Sequence, residues 1–256
     1  MAAPRTYHAS VLVLRKRKLG ESDLILSMLS GDGSLVEAVA KGARKPTSTF
    51  ATRLDLFCES EVMLARGRNL DIASEVRLLN SHDGIRSNVL ATYAAAPILD
   101  CIAHTSLPNL PVEHLFAMAT SALKHMDSSP EEKLPAYTAA FLVKLFALLG
   151  VRPALDRCIS CGEERATDSA DTVSFSFEDG GYVCENCGAG FERVRLDNAT
   201  LQWASVLLGS TFDEIDQMDI PLEASFAVLH FANQWLRESQ HINSKALSQL
   251  LSCGLF

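Results

Sequence analysis

Residues 23–41 read DLILSMLSGDGSLVEAVAK, in which two largely apolar runs flank the turn Gly31-Asp32-Gly33. A short turn rich in glycine between two such runs is typical of a β-hairpin, because glycine readily adopts the positive φ of tight turns. The stretch therefore predicts two paired strands, over residues 23–30 and 34–41.

Three further strands are predicted around this hairpin. Before it, residues 7–15 form an apolar run with two valines. After it, residues 54–64 and 70–78 alternate apolar and charged side chains, which is the period of a half-buried strand. Five strands with no helix between them favour a small closed barrel, of which the OB-fold is the commonest five-stranded form. An SH3-like barrel or an open sheet fits the same pattern.

After residue 80 the apolar residues recur at helical spacing. We predict helices over residues 81–104, 111–126, about 128–149, 197–209 and 221–238, with a kink in the first at Pro97. The fold class is therefore α+β, with a five-stranded OB-fold barrel at residues 1–80 followed by an α-helical domain at residues 81–256.

Two C-x-x-C-G motifs interrupt the helical part. They are Cys158-Ile-Ser-Cys161-Gly162 and, 22 residues later, Cys184-Glu-Asn-Cys187-Gly188. Residues 174–183 form a hairpin pattern that leads into the second motif, as in a zinc ribbon. Four cysteines at this spacing fill a tetrahedral shell, so we predict one structural Zn²⁺ in a zinc-ribbon-like insert at about residues 156–194. Two unrelated redox or structural pairs are the alternative.

The composition excludes several classes of protein. With 48% hydrophobic and 21% charged residues, the chain is neither disordered nor fibrous. Its longest nearly apolar run, residues 90–99, is half of the roughly 20 residues that a membrane span needs. No signal-peptide pattern is present, and seven cysteines cannot all pair within one chain. We therefore expect a cytoplasmic protein without a membrane partner.

The net charge of −8 is unevenly distributed. Residues 1–80 contain 12 Lys and Arg against 9 Asp and Glu, a net +3, whereas residues 81–256 contain 11 against 22, a net −11. The barrel is thus mildly basic, and its basic residues lie in predicted loops and hairpin ends. We predict that they contact nucleic-acid phosphates, although a solvated rim is an equally good interpretation of the charge alone. The candidate nucleic-acid-binding residues are Arg15, Lys16, Arg17, Lys18, Lys41, Arg44, Lys45, Arg53, Arg66 and Arg68.

Catalytic motifs are absent from the sequence. None of the phosphate-binding glycine loops, the H-E-x-x-H zinc site or the G-x-S-x-G nucleophile elbow occurs. We therefore predict that the chain is not an enzyme and takes no small-molecule substrate. A hydrolase or nuclease would need a divalent-metal carboxylate cluster that the sequence does not display.

Several segments, in order along the chain, resemble the RecO family of bacterial recombination and repair proteins. They are residues 19–23 (LGESD), 39–44 (VAKGAR), 53–57 (RLDLF), 66–71 (RGRNLD) and 141–153 running into Cys158. The resemblance implies an N-terminal OB-fold, a helical C-terminal domain and, in many members, a zinc-binding insert. On matching positions it implies DNA contacts for Lys41, Arg44, Arg53, Arg66 and Arg68. Arg15 to Lys18 lie in a predicted loop, so their role depends on charge alone.

The same resemblance implies a function and partners. RecO proteins bind single- and double-stranded DNA, anneal complementary strands, and work with RecR to load the RecA recombinase onto strands coated by single-strand-binding protein (SSB). Such a protein acts at the nucleoid. The family also docks the acidic C-terminal tail of SSB in an apolar groove of the helical domain. We place Phe141, Lys144, Leu145 and Arg152 near that groove, while the core is the more frequent location for Phe141 and Leu145.

The sequence thus predicts a DNA-binding recombination mediator. The alternative is a zinc-ribbon adaptor that acts only through protein–protein contacts, with its acidic helical half as the docking surface. Salt-dependent DNA binding distinguishes the two.

Overall fold

A computed structural model describes residues 6–166 and 171–256. The chain divides into two compact units. The barrel unit comprises the chain up to Thr92 together with Ile98–Asp127, and the helical unit comprises Tyr93–Pro97 together with Ser128–Phe256. The domain boundary expected at residue 80 stays a prediction.

Five strands of the barrel unit form a closed barrel in the order β1-β2-β3-β5-β4. Strands β3 and β5 pair in parallel, and the other neighbours pair antiparallel. The predicted five-stranded barrel is therefore confirmed. The strands are β1 (Thr6–Leu19), β2 (Asp23–Ser30), β3 (Leu35–Ala40), β4 (Glu59–Ala65) and β5 (Asp71–Asn80).

The barrel core follows from side-chain alternation along the strands. Val11 and Val13 of β1 point into the barrel, where they pack with Leu26 and Met28 of β2. Ala38, Ala40, Val62 and Leu64 complete the fill from β3 and β4. The small alanines on one strand opposite larger residues on the others let a narrow barrel close without a void.

Two details of the barrel differ from the sequence prediction. Strand β4 begins at Glu59 and not at residue 54, because a short helix α1 (Phe50–Arg53) and a turn precede it. In that turn Phe57 has φ +68°, a left-handed conformation that no strand accommodates. The predicted loop at Arg15–Lys18 is also wrong. These residues lie inside β1, where they pair with residues 24–27 of β2.

The barrel unit also contains three helices after the strands. They are α2 (Asp83–Ser87), α3 (Val89–Thr105, of which Tyr93–Pro97 belong to the helical unit) and α4 (Leu115–Ser128). Helix α3 continues through Pro97 as one element. The side chain of Asn88 caps its start by accepting from two backbone N–H groups, those of Leu90 and Ala91.

The helical unit is built around α5 (Leu134–Leu148), which has almost no exposed residue. Helices α6 (Asn198–Gly209) and α8 (Leu222–Glu238) agree with the predicted positions, and both pack on α5. Helices α7 (Phe212–Gln217) and α9 (Lys245–Ser252) were missed because each is short. The capping box of Thr211 and Glu214 was the available signal for α7.

A three-stranded sheet lies in the insert of the helical unit. Its strands are β6 (Thr172–Ser176), β7 (Gly181–Val183) and β8 (Val194–Asp197), in the order β7-β6-β8. The β6–β7 hairpin confirms the hairpin expected before the second cysteine motif. Phe175 and Phe177 pack against Phe231 and Trp235 of α8, with ring centroids 4.9–6.5 Å apart. This aromatic cluster joins the insert to the helices.

Among the described residues, no helix is both long enough and apolar enough to cross a membrane.

Gly33, in the β2–β3 turn, provides a test of packing in the barrel unit. It has φ +84°, and a Cβ there would lie 2.0 Å from the carbonyl oxygen of Val112. Gly20 also has a positive φ, +57°, but its Cβ would meet nothing. We expect Gly20→Ala to cost about 1 kcal/mol, from backbone strain alone. Gly33→Ala should cost a further ~1–3 kcal/mol, because the loop before α4 must move.

The measurement is the urea midpoint of each variant, followed by far-ultraviolet circular dichroism. Equal midpoints for the two alanine variants would show that the contact between the turn and Val112 does not constrain the barrel unit.

Candidate metal centre and nucleic-acid surface

The two cysteine motifs come together at one point of the insert. The sulfur atoms of Cys158, Cys161, Cys184 and Cys187 all lie within 4.8 Å of one another. The Sγ atoms of Cys161 and Cys184 are 3.7 Å apart. Four thiolates around a tetrahedral ion, each ~2.3 Å from it, lie ~3.8 Å apart. The cluster therefore has the spacing that a single metal ion requires.

Backbone turns hold the first pair of sulfurs in position. The N–H of Gly162 donates to the carbonyl of Cys158 at 2.9 Å, and Gly162 has φ +77°. The turn is tight enough to aim Cys158 and Cys161 into one site, and its conformation favours glycine. The N–H of Cys184 then donates to the sulfur of Cys158 at 3.4 Å, which links the two motifs.

The β6–β7 hairpin positions the second pair. The N–H of Tyr182 donates to the carbonyl of Ala154, and the N–H of Ile159 donates to the carbonyl of Tyr182, at 2.9 and 3.0 Å. A Cβ on Gly181 would lie 2.5 Å from the Ala154 side chain, so only glycine permits this close approach. The hairpin therefore carries Cys184 directly to the first motif.

A buried arginine that the sequence analysis did not select anchors the insert. Arg165 is 7% exposed; its Nε donates to the carbonyl of Leu155 at 2.8 Å, and its Nη1 donates to Asn198 Oδ1 at the start of α6. Burial lowers the pKa of Arg165 from its ordinary value, and the nearby Asp156 opposes this shift. Its role is therefore structural.

The electrostatics of the cluster fit a bound cation. Burial raises the pKa of Cys158, but donors including the N–H groups of Cys184 and Cys161 outweigh burial and lower it to about 6. Burial raises the pKa of Cys184, so the thiolate of Cys184 is disfavoured. A metal ion would supply the charge that lets all four ionise. Because four protein ligands leave no open position, the metal would hold the insert together and would not act on a substrate.

Six of the ten predicted basic residues lie in two groups at opposite ends of β1. The first group surrounds the β1–β2 turn. There the N–H of Gly42 donates to Asp23 Oδ1 at 2.8 Å and the N–H of Arg44 donates to the carbonyl of Ser22 at 2.9 Å. These bonds hold the segment after β3 beside the turn. The group consists of Lys18, Lys41, Arg44 and Lys45, all exposed, and we call it the turn cluster.

The guanidinium of Arg44 is already engaged in the turn cluster. Its Nη1 donates to the carbonyls of Gly20 and Glu21, at 3.2 and 2.8 Å. The lysines are less committed: within residues 6–166 and 171–256, Lys18, Lys41 and Lys45 form no ion pair within 4.0 Å. Lys41 and Lys45 nevertheless help to lower the pKa of Asp23, after the larger effects of the Gly42 N–H and the Ser22 hydroxyl.

The second group lies in the β4–β5 turn. Arg66 directly follows Ala65, which pairs with Thr6 at the other end of β1. The guanidinium of Arg66 stacks 4.8 Å from the ring centroid of Tyr7, whereas Arg68 is exposed. The fold does not bring this group to the turn cluster.

The other four residues predicted to contact DNA form ion pairs or hydrogen bonds within the barrel unit. Arg15 pairs with Asp100 of α3 at 2.7 Å, and Arg17 pairs with Glu37 of β3 at 3.2 Å. Lys16 pairs with Asp55. The exposed Arg53 donates to the carbonyl of Val76 at 3.2 Å. The run Arg15–Lys18 is therefore less positive at the surface than its sequence suggests.

The barrel unit also contains a cleft that no sequence pattern indicates. It has a volume of about 610 Å³ and is lined by polar residues that include Tyr7, Asp32, Arg66 and Asp71. The phenol of Tyr7 donates to Asp71 at 2.5 Å, and burial together with this bond raises the pKa of Tyr7. The acidic side chains of the cleft, Asp32 and Asp71, repel phosphates, so the cleft does not favour binding of a nucleic-acid backbone.

Three of the four residues predicted at the partner groove, Phe141, Lys144 and Leu145, are not exposed. Phe141 and Leu145 have no exposed surface, so a docked peptide does not reach them in this structure. The ammonium of Lys144 donates to the carbonyls of Leu208 and Ser210 at the end of α6. Arg152 is the exposed member, and it pairs with Asp156 at 3.5 Å.

If the four cysteines bind one metal ion, removal of one cysteine should weaken metal binding. In Cys184→Ser the metal content should fall below one ion per chain, measured by elemental analysis of the purified protein. The thermal midpoint should fall by several degrees, because metal binding and folding of the insert are coupled. Cys253→Ser is the matched control: Cys253 lies outside the cluster, and its sulfur donates to the carbonyl of Leu250 in α9. A metal-free wild-type protein of full stability would contradict the assignment.

Comparisons with known proteins agree with this architecture. The family model described as "Recombination protein O N terminal" matches residues 1–82, and "Recombination protein O C terminal" matches residues 86–246. The DNA repair protein RecO of Dehalococcoides mccartyi is 32% identical over 187 residues, which are 73% of this chain and 72% of that protein. RecO of Desulfitobacterium hafniense is 33% identical over 71% of this chain and 64% of that protein.

A third relative, DNA repair protein RecO of Alkaliphilus metalliredigens, is 28% identical over 81% of this chain and 83% of that protein. The two family models together match both the closed barrel and most of the helical part. The chain therefore belongs to the RecO family of DNA repair proteins.

Proposed function

We propose that this protein binds DNA, anneals complementary strands and helps to load a recombinase onto single strands coated by SSB. It would do so as a mediator, without turnover of a substrate. The turn cluster, in a chain of a DNA repair family, is the observation that carries this proposal. A protein of this kind works where the DNA is, at the nucleoid in the cytoplasm.

The mechanism follows from phosphate neutralisation. Two complementary strands repel each other through their backbones, and cations that bind one backbone lower this repulsion. Hydrogen bonds of Gly42 and Arg44 fix the backbone that carries Lys41 and Lys45 beside the β1–β2 turn, so these cations converge on one surface with Lys18 before any ligand binds. They contact the backbone and leave the bases free to pair, which is what annealing without sequence preference requires.

We propose zinc as the metal of the cysteine cluster. A site of four thiolates with tetrahedral spacing favours Zn²⁺ or an iron centre among the metals that proteins use. The two knuckles and the hairpin between them are the zinc-ribbon arrangement. The hairpin that leads into the second knuckle contains Phe175, which packs against Trp235 of α8. This contact supports a structural function for the insert.

RecR and the SSB tail are the proposed protein partners, because they are the partners that the family resemblance implies. For the SSB tail, Arg152 is the accessible cation among the four residues expected at a groove, and an acidic tail requires such a cation. We do not assign Phe141 and Leu145 to this contact, since both are core residues.

The second candidate function is an adaptor that contacts only proteins. The net charge of −11 over residues 81–256 favours it, because such a surface repels DNA. An adaptor of this kind would not bind DNA in a salt-dependent manner.

The decisive experiment reverses the charge of two of the three turn-cluster lysines that form no ion pair with a described residue. In Lys41→Glu/Lys45→Glu we expect single-strand affinity to fall by at least tenfold and the salt slope to decrease by ~1.4, about 0.7 for each lost phosphate contact. The probe is a fluorescent oligothymidine, titrated at several salt concentrations.

A second readout is annealing of two complementary labelled strands, which should slow in parallel. Lys124→Glu/Lys245→Glu carries the same charge change on exposed helical lysines and should leave both measurements near wild type. Wild-type protein that shows no salt-dependent binding would exclude the DNA-binding function and favour the adaptor.

A further inference from the structure

The carboxylate of Asp55 is held by three donors from separate parts of the barrel unit. Lys16 of β1 donates from Nζ to Oδ1, and the backbone N–H of Leu56 donates to the same oxygen at 2.7 Å. Arg86 of α2 donates from Nη2 to Oδ2 at 3.0 Å. Two cations and one N–H thus surround a single anion.

This arrangement lies at the surface. The side chains of Lys16, Asp55 and Arg86 are 28%, 30% and 27% exposed. A ligand from solvent therefore reaches both cations without opening the core. Arg86 also approaches Asp83 at 3.5 Å, but that carboxylate is 81% exposed and contributes little.

The Asp55 carboxylate is ionised at neutral pH. Burial alone raises its pKa, but the hydrogen bond from Lys16, the Leu56 N–H and the charges of Lys16 and Arg86 outweigh burial and lower it. The two cations accordingly bind a full negative charge supplied by the chain itself.

A carboxylate and a phosphodiester present similar acceptors to such donors. Each offers two charged oxygens to an ammonium and a guanidinium, and arginine binds both classes of anion. A nucleic-acid strand that runs along β1 from the turn cluster would meet Lys16 two residues before Lys18.

We infer that Lys16 and Arg86 form a phosphate-binding subsite whose resident anion is the Asp55 carboxylate. A backbone phosphate of single-stranded nucleic acid displaces Asp55 from the two cations when the strand binds. The chain thereby restrains its own affinity for nucleic acid. This inference depends on the proposed DNA binding, and it adds to that surface an arginine outside every basic segment of the sequence.

The test is Asp55→Asn, which keeps the shape of the side chain and removes its charge. We expect tighter binding of a fluorescent oligothymidine, by about fivefold at ~0.1 M salt for each cation released, and a salt slope steeper by up to ~1.4. The thermal midpoint should fall at the same time, because the ion pairs are lost. A purely structural role for Asp55 predicts lower stability without the gain in affinity.

Two controls isolate the subsite. Glu75→Gln removes one negative charge from an exposed position on β5 and should change affinity much less. Adding Lys16→Gln to Asp55→Asn should cancel the share of the gain that belongs to Lys16, about fivefold, and leave the share of Arg86.

If Asp55→Asn does not fold, Arg86→Gln provides the alternative measurement. It should weaken binding and reduce the slope by up to ~0.7, whereas Arg77→Gln, at an exposed arginine paired with Glu61, should not.

The outcomes separate the two proposals. Salt-dependent binding by wild type with no difference between Asp55→Asn and Glu75→Gln would overturn the subsite and leave the proposed function intact. Absence of binding by every variant and by wild type would overturn both.

Discussion

The pairing of β1 with two different strands is the constraint on which the barrel unit depends. Residues 6–12 pair with β4, and residues 11–19 pair with β2. One long strand serves both neighbours because it has two edges, and the register shift between Val13 and Arg15 marks an irregularity in its ladder with β2. The barrel closes as a result, and both ends of β1 become sites where turns and basic residues collect.

That strand also determines how the positive charge is used. Because Arg15, Lys16 and Arg17 lie within β1, their side chains face neighbouring elements, and each finds a carboxylate there. Charge that looks like one block in the sequence is thus divided between internal ion pairs and a few free lysines. Exposed ion pairs contribute little to stability, so their main effect is to reduce the positive potential that a phosphate meets.

The insert is stabilised by other interactions than those of the barrel. The Gly162 turn and the close approach at Gly181 bring its four cysteines together, while Arg165 and the aromatic cluster attach it to the helices. A small sheet of three short strands buries little apolar surface by itself, so the aromatic contact with α8 compensates for a small core. The cysteine cluster was predictable because each of its two pairs is defined by the local C-x-x-C spacing. The anchoring arginine was not, since nothing in the sequence around Arg165 distinguishes it from a surface residue.

Strand period, helix period and the C-x-x-C spacing are local properties, so the five strands, most helices and the cluster of four cysteines could be predicted from the sequence alone. It misplaced the start of β4 and the loop at Arg15–Lys18, where local propensity was overridden by Phe57's left-handed backbone and by the continuing ladder to β2. Which cations are available to bind a phosphate depends on the folded chain, because the carboxylates that pair with Arg15, Lys16 and Arg17 lie far from them in the sequence. Lys16 binds Asp55, which lies 39 positions away in the chain. The order of charges along the sequence does not show that these two side chains meet.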